Sequence, residues 1–190
     1  MTKVLSYSVL VILSGFLLSA CQTTHQMLDV SEIKRVEKRP NSHNTVQVYC
    51  AGVENCEFER LNNLAIVDPV SHRVNSKAIH KGYVKLTGQA FDKNGLYLTL
   101  PAQQHEMVIR FYPITQQHAE VFHVIHQFQA HQRYSFRMYR KRSQSSGSLL
   151  NVSAPTPLCV DLIQGKRTVR RFCRPYDVVT GVSEYVEQKI

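Results

Sequence analysis

Apolar and polar residues alternate over most of the chain after its first quarter, and this is the pattern of half-buried β-strands. The alternation is clearest in 96–100, in 106–112 and in 133–140, where every second residue is apolar or aromatic. No long stretch repeats every 3.6 residues, as an amphipathic helix would. The pattern therefore predicts an all-β fold, namely a single small antiparallel β-sandwich over 46–190 with an appended hairpin at 158–174.

The strands at 96–100 and 106–112 are separated only by a loop at 101–105, so we expect them to pair as a hairpin. Residues 141–148 are rich in serine and are expected to form an exposed loop. The closing segment 183–190 is expected to be one or two helical turns or a frayed end. Short apolar runs bounded by turn residues predict further strands at 46–50, 64–67, 83–88 and 121–128.

The appended hairpin is predicted from two strand-like runs that flank a turn-like stretch at 164–167. Folding the chain about Lys166 places Cys159 directly opposite Cys173, because the two cysteines are equally distant from it along the sequence. A cross-strand disulfide needs this arrangement. Closing a loop of about 15 residues would stabilise the fold by roughly 3 kcal/mol in the chain-entropy model.

Two segments combine a short strand with a loop, namely 98–102 followed by His105 and 128–130 followed by Tyr134. Both are similar to the loop-and-strand pattern of PEGA-type envelope sandwiches. The glycines usual in that pattern are replaced here by Gln103 and His131. The resemblance therefore implies the sandwich architecture only.

The chain begins with Lys3, an apolar run over 4–18 and the tetrapeptide Leu18-Ser19-Ala20-Cys21. This order is that of a secretory signal, and the run is shorter than the roughly 20 residues that a membrane span needs. The tetrapeptide resembles the lipobox of bacterial lipoproteins. The resemblance implies a signal peptide at 1–20, cleavage before Cys21 and acylation of that cysteine with chains such as palmitate. The alternative is an uncleaved membrane helix or an ordinary signal with a chance cysteine.

Gln22 follows the cysteine where an Asp would usually mark inner-membrane retention, so the resemblance implies lipid anchoring in the outer membrane. The stretch from Cys21 to residue 45 is polar and mixed in charge, and we interpret it as a lipidated, flexible tether. An alternative is a short helix over 27–38, because apolar residues recur there at every third position. That helix could lie on the membrane surface with its basic side toward lipid phosphates.

Four cysteines remain once Cys21 is assigned to the lipid, and an even number fits an oxidising compartment. Three pairings are open from sequence alone. We choose Cys50 with Cys56 and Cys159 with Cys173, because each pair is local and its members are separated by turn-like residues. A zinc site is the competing use, but neither pair has the spacing of two to four residues typical of zinc ligands.

Removal of the signal leaves 22 basic against 14 acidic side chains, a net charge near +8. Such a surface suits anionic partners, and outside the cytoplasm these are lipid head groups and cell-wall polymer rather than nucleic acid. Tyr139 and Tyr176 are interleaved with the cations. An alternative interpretation is that these cations only form the solvent-facing side of edge strands. The candidate anion-binding residues are Arg133, Arg137, Arg140, Lys166, Arg167, Arg170 and Arg171, with Lys141, Arg142 and Arg174 beside them.

Histidines are frequent in the central segment, where four of them fall within 14 residues. On a strand, His123 and His126 point to opposite faces, so they do not hold one ion together. The sequence has no Gly-x-Ser-x-Gly elbow, and we interpret Glu54, Glu57 and Glu59 as solvated acids beside a turn. We therefore predict no catalytic residues, no metal and no cofactor. The four histidines are His118, His123, His126 and His131.

The sequence thus predicts an outer-membrane-anchored envelope lipoprotein that acts as a binding or assembly module. Its partners would be the membrane, through the lipid anchor, and peptidoglycan, anionic lipid or an envelope protein, through the basic residues. The alternative is a periplasmic hydrolase or metal-dependent enzyme that uses the histidine-rich centre. A converging polar pocket would favour the enzyme, and a broad exposed patch would favour the module.

Overall fold

The structure is a computed structural model that describes residues 29–37, 44–88, 94–115, 117–141, 157–174 and 183–190. The predicted signal peptide and Cys21 lie outside the described residues, as does the predicted serine-rich loop apart from Lys141. Within the described ranges, no helix is long and apolar enough to cross a membrane.

The fold is all-β, as predicted, and consists of two sheets that pack face to face. One sheet has seven strands in the order β11-β10-β9-β8-β1-β5-β4, and the other has four in the order β3-β2-β6-β7. The strands are β1 Thr45–Ala51, β2 Asn55–Leu61, β3 Leu64–Ala65, β4 Val84–Leu86, β5 Leu96–Pro101, β6 Gln104–Tyr112, β7 Glu120–Gln127, β8 Arg133–Arg140, β9 Leu158–Gln164, β10 Arg167–Arg174 and β11 Val186–Gln188.

Period-two alternation builds the core, because the apolar side of every long strand faces the opposite sheet. Phe136 of the seven-stranded sheet and Phe122 of the four-stranded sheet meet there, with ring centroids 6.0 Å apart. The seven-stranded sheet contributes Val46, Val48, Leu98, Leu100, Tyr134, Phe136, Met138, Val160 and Leu162, and the four-stranded sheet contributes Phe58, Met107, Ile109, Phe111, Phe122 and Val124.

The predicted pairing of 96–100 with 106–112 is wrong. β5 pairs with β1 and β4 in one sheet, whereas β6 pairs with β2 and β7 in the other. Only Ala102 and Gln103 separate the two strands, and the chain turns a corner between the sheets at this point. The corner is held by the N–H of Ala102, which donates to Asn44, and by Gln103, whose carbonyl accepts from the N–H of Phe128. Consecutive strands therefore face each other across the core.

Gly52 follows β1 where the chain leaves the seven-stranded sheet for the other. Its φ is +95°, and an added Cβ would lie 2.1 Å from the carbonyl oxygen of Met138. Any side chain at this position would therefore displace the backbone of β8. The predicted disulfide between Cys50 and Cys56 spans this crossing, because it joins β1 to β2.

β9 and β10 form the predicted hairpin, and the predicted disulfide joins Cys159 to Cys173, which are direct partners across the two strands. The turn consists of Gly165 and Lys166, so its centre falls half a residue before Lys166. An irregularity at Val169 then shifts the register by one residue and places the cysteines opposite each other.

Residues 29–37 form helix α1, although we predicted the surrounding segment to be a flexible tether. Ile33 and Val36 are 1% and 4% exposed, and both belong to the hydrophobic core. A carboxylate oxygen of Asp29 accepts a hydrogen bond from the backbone N–H of Val74. The apolar spacing at every third residue thus serves the core of the domain, and this part of the predicted tether is folded onto it.

Helix α2, Ser76–His80, lies beside α1, where Glu32 and His80 approach to 3.1 Å. At the other end of the chain, the closing segment contains β11, which pairs with β10. A strand therefore replaces the expected helical turns, because the edge of β10 offers backbone hydrogen bonds that a frayed end would lack. We call 29–37 and 76–81 the helical layer; its exposed cations include Lys34, Lys77 and Lys81.

Candidate functional site

The outer face of β8 carries the first group of predicted anion-binding residues. Tyr134, Phe136 and Met138 point into the core, so the alternating positions, which include Arg133 and Arg137, point to solvent. Arg137 is a direct cross-strand neighbour of Asp161 on β9, but it forms no ion pair with a described residue. Both arginines are exposed.

The tip of the hairpin lies beside the start of β8. The N–H of Gly165 donates to the carbonyl of Arg133 at 2.8 Å, and this bond brings the turn residue Lys166 next to Arg133. Lys141 follows the opposite end of the same strand. The predicted candidates Arg140 and Arg167 do not belong to this face. Arg140 alternates with the outward positions of β8, and Arg167 pairs with Gln164, whose partner Tyr134 points into the core. We call Arg133, Arg137, Lys141 and Lys166 the basic surface; none of them forms an ion pair with a described acid.

Arg133 is held in place by a stack of aromatic rings. Its guanidinium lies 4.0 Å from the ring centroid of Tyr49, and that ring stacks on Tyr97 at 4.7 Å with an interplanar angle of 10°. Burial raises the pKa of Tyr97, and the neighbouring Tyr49 and Glu37 raise it further. The stack orients the guanidinium without neutralising it, so its donors remain available to an anion.

Arg171 does not belong to the basic surface, although the sequence placed it there. Its guanidinium donates two hydrogen bonds of 2.7 Å to the carboxylate of Asp161, to which Tyr139 also donates. The hydrogen bonds that Arg171 donates to Asp161 raise the pKa of Arg171 above its ordinary value. Burial raises the pKa of Tyr139, and the charge of Asp161 adds to this. This pair stabilises the sheet rather than offering a free cation.

Arg170 also has its own acid. It faces the edge of the sandwich, where it forms two hydrogen bonds with Glu187 of β11 and donates to the carbonyl of Ile125 on β7 at 2.7 Å. This hydrogen bonding lowers the pKa of Glu187. Arg174 pairs in the same way with Glu120 of β7. The predicted cluster therefore separates into Arg171, which is paired within its sheet, Arg170 and Arg174, which join the two sheets, and exposed cations.

The central histidines divide between the two sides of the four-stranded sheet. His123 is exposed and its Nε2 lies 2.9 Å from Glu106, whereas His126 is half-buried against Phe128 and Tyr134. The prediction that these two histidines point to opposite faces is confirmed. Burial lowers the pKa of His126, and the charge of Arg170 lowers it further.

His118 contacts Thr115, and His131 occupies a turn with φ +60°, which non-glycine residues adopt rarely. Within the ranges that the structure describes, no three side chains of His, Cys, Asp or Glu are grouped to hold a metal ion. His105 was not among our candidates, yet it is buried: its Nε2 donates to Pro101 and its Nδ1 accepts from Asn62. Both ring nitrogens have partners, so it closes the corner of the sandwich.

Glu54 lies in the bend between β1 and β2, as we expected, but Glu57 and Glu59 belong to β2 itself. Glu59 pairs with Arg110 at 3.0 Å. Glu57 contacts His72 at 3.0 Å and accepts a hydrogen bond from Tyr112. Burial and this bond raise the pKa of Tyr112 to about 12. The two acids of β2 therefore have partners within the domain.

An open cleft of about 420 Å³ lies between α1 and residues 65–76. Its acids already have partners: Asp29 accepts from Val74, and Asp68 accepts from Ser71. These hydrogen bonds from Ser71 lower the pKa of Asp68. The two aspartates of the cleft are thus engaged within the domain, and the basic surface is the better candidate site.

Sequence reasoning found the cations of the basic surface but missed Tyr49 and Asp161, which decide which of them are exposed and which are paired. Asp161 had a signal, because it is an acid inside an otherwise apolar strand. Tyr49 had no sequence signal that distinguishes it from other residues on the solvent-facing side of a strand. The chain is a two-sheet β-sandwich with an electropositive sheet face. Comparisons with protein-family models, with curated proteins and with solved structures find no match for it.

Proposed function

We propose that this chain is an outer-membrane-anchored envelope lipoprotein whose sandwich acts as a binding or assembly module for anionic lipid or cell-wall polymer. The observation that carries the proposal is the basic surface, where exposed cations stand on one face of a disulfide-linked sheet and have no acidic partner among the described residues. Guanidinium forks suit phosphate and carboxylate oxygens, which both kinds of envelope anion carry.

The rigidity of the sheet supports a binding role. The guanidinium of Arg133 is stacked on Tyr49, so this side chain loses little freedom on binding. A cation fixed by such contacts binds a polyanion better than the same charge on a mobile loop. The sequence pattern at Cys21 supports the proposed location in the outer membrane, and two disulfides fit an oxidising compartment.

Co-sedimentation tests the binding function. The chain 22–190 lacks the anchor but contains every core residue that the structure describes, and it is mixed with phosphatidylglycerol vesicles, with phosphatidylcholine vesicles and with purified peptidoglycan. We expect binding to the anionic vesicles, to peptidoglycan or to both. Replacement of Arg133, Arg137 and Lys166 by Gln should weaken binding to anionic vesicles about 100-fold, because each cation near such a surface contributes about 1 kcal/mol.

The matched control replaces Lys34, Lys77 and Lys81 of the helical layer by Gln, which removes the same total charge. Equal loss in the two variants would mean that net charge alone drives binding, and the site assignment would be wrong. Absence of binding to every surface would remove the proposed module function. Intact-mass measurement of the envelope-extracted protein tests the predicted location separately, since acylation at Cys21 adds the mass of the lipid and cleavage before Cys21 removes that of 1–20.

A further inference from the structure

Folding of α1 shortens the connection between the proposed lipid anchor and the domain. Asp29 is held by Val74, and Ile33 is part of the core, so the folded domain begins no later than Asp29. Only 22–28 then separate Cys21 from the domain. At about 3.4 Å per residue this connection spans at most about 27 Å, and a flexible chain of this length averages about 16 Å.

The basic surface lies on the side of the sandwich to which α1 leads. Val36, near the end of α1, lies beside Gly82, which shortly precedes β4, and Lys85 of β4 is the cross-strand partner of Tyr97. The stack of Tyr97, Tyr49 and Arg133 then continues onto β8. The helix axis from Asp29 to Glu37 covers about 12 Å. The maximum reach of 22–28 therefore exceeds the length of α1. A bilayer that holds Cys21 can consequently also contact the outer face of the seven-stranded sheet.

We propose that the anionic bilayer that holds the anchor is the ligand of the basic surface, so that the domain lies against the membrane with β8 and the β9–β10 hairpin toward the head groups. This inference rests on the proposed function. A short connection keeps the basic surface at a high effective concentration near lipid phosphates, whereas a more distant polymer gains nothing from it. Acyl chains and a basic patch together form the two-signal attachment that gives lasting membrane binding.

Lysine footprinting tests the orientation on the complete, acylated protein. The protein is inserted into vesicles of phosphatidylcholine alone or with phosphatidylglycerol, and its lysines are acetylated briefly and quantified by mass spectrometry. Lys141 and Lys166 report on the basic surface, and Lys34 and Lys77 report on the helical layer as internal controls. We expect Lys141 and Lys166 to react about fivefold more slowly in the anionic vesicles only, a factor that corresponds to about 1 kcal/mol per cation.

Concentrated salt should abolish the protection, because the Debye length falls to about 3 Å at 1 M. Equal acetylation of Lys166 in both kinds of vesicle would overturn the inference, as would protection of Lys77 instead, since the helical layer would then face the membrane. Protein that carries acyl chains but shows no protection contradicts only this orientation. Protein without acyl chains contradicts the anchor, and with it the proposed function.

Discussion

Arg171 and Asp161 face each other across β10 and β9 and share two hydrogen bonds of 2.7 Å, while Arg137, the neighbour of Asp161 on β8, has no such bond. The side chain of Asp161 is 9% exposed, so loss of Arg171 would leave a carboxylate with little access to water. We expect Arg171→Gln to lower the free energy of unfolding by about 1–3 kcal/mol. Arg137→Gln should change it by less than about 0.5 kcal/mol.

Urea denaturation of both variants gives the comparison, and Asp161→Asn, alone and combined with Arg171→Gln, completes a double-mutant cycle. Equal stability of the two arginine variants would show that the pair with Asp161 contributes nothing. The same measurements decide how binding should be tested: a loss of binding in Arg171→Gln would reflect damage to the sheet, whereas a loss in Arg137→Gln reports on the basic surface itself.

Gly52 is required by the close approach of β1 and β8. An alanine there would adopt φ near +95° and place its Cβ 2.1 Å from the carbonyl oxygen of Met138. We expect Gly52→Ala to destabilise the protein by about 2–4 kcal/mol, from overpacking and the unfavourable backbone conformation together. Gly88→Ala is the control, because nothing lies within 4 Å of its added Cβ. Thermal unfolding of both variants should show a large loss of stability only for the first.

Helix α1 is a structural part of the domain, and substitution of its buried side would show this. Ile33 is 1% exposed, so Ile33→Ala should cost about 2–5 kcal/mol. Lys34→Ala, on the exposed side of the same helix, should cost less than about 0.5 kcal/mol. Urea denaturation of the chain 22–190 measures both. If Ile33→Ala were as stable as the parent, α1 would not be docked on the domain. The connection between Cys21 and the domain would then be longer than 22–28.

Most of the strands and both disulfides could be predicted because they depend on local patterns, whereas β2 and β11 were not predicted. Alternation identifies the core face of β6 and β8, and the symmetric spacing of Cys159 and Cys173 identifies the hairpin. The pairing of strands was less predictable. β5 and β6 are separated by two residues, and such neighbours usually pair with each other, but here the hydrogen bonds of Ala102 and Gln103 turn the chain into the other sheet.

Features that depend on distant contacts could not be read from the sequence. The parallel pairing of β1 with β8 joins residues more than 80 positions apart, and no local signal specifies it. The core role of α1 depends on the segment that it covers, and only the spacing of its apolar residues suggested a helix. The same holds for the candidate site. The cations could be identified in the sequence, but the register of the paired strands decides whether each one has an acid as its cross-strand neighbour.

His126 gives the fold a measurable pH dependence. Its ring packs against Phe128 and Tyr134 near Arg170 and Glu187, and burial, followed by the charge of Arg170, lowers its pKa in the folded state. The unfolded chain therefore binds more protons than the folded one in the interval between the lowered pKa and the ordinary value of about 6.5. Stability should consequently be fully present above about pH 7 and should fall as the pH decreases through that interval.

Replacement of His126 by Gln removes the titrating group at this position. We expect His126→Gln to be less stable than the parent at about pH 7.5, because the ring contacts with Phe128 and Tyr134 are lost, but to lose less further stability between about pH 7.5 and 5.5. His123→Gln, on the exposed face of the same strand, is the matched control for general effects of histidine removal. Urea midpoints of the three proteins at both pH values measure the difference. An unchanged pH dependence in His126→Gln would mean that His126 is not the group that destabilises the fold on acidification.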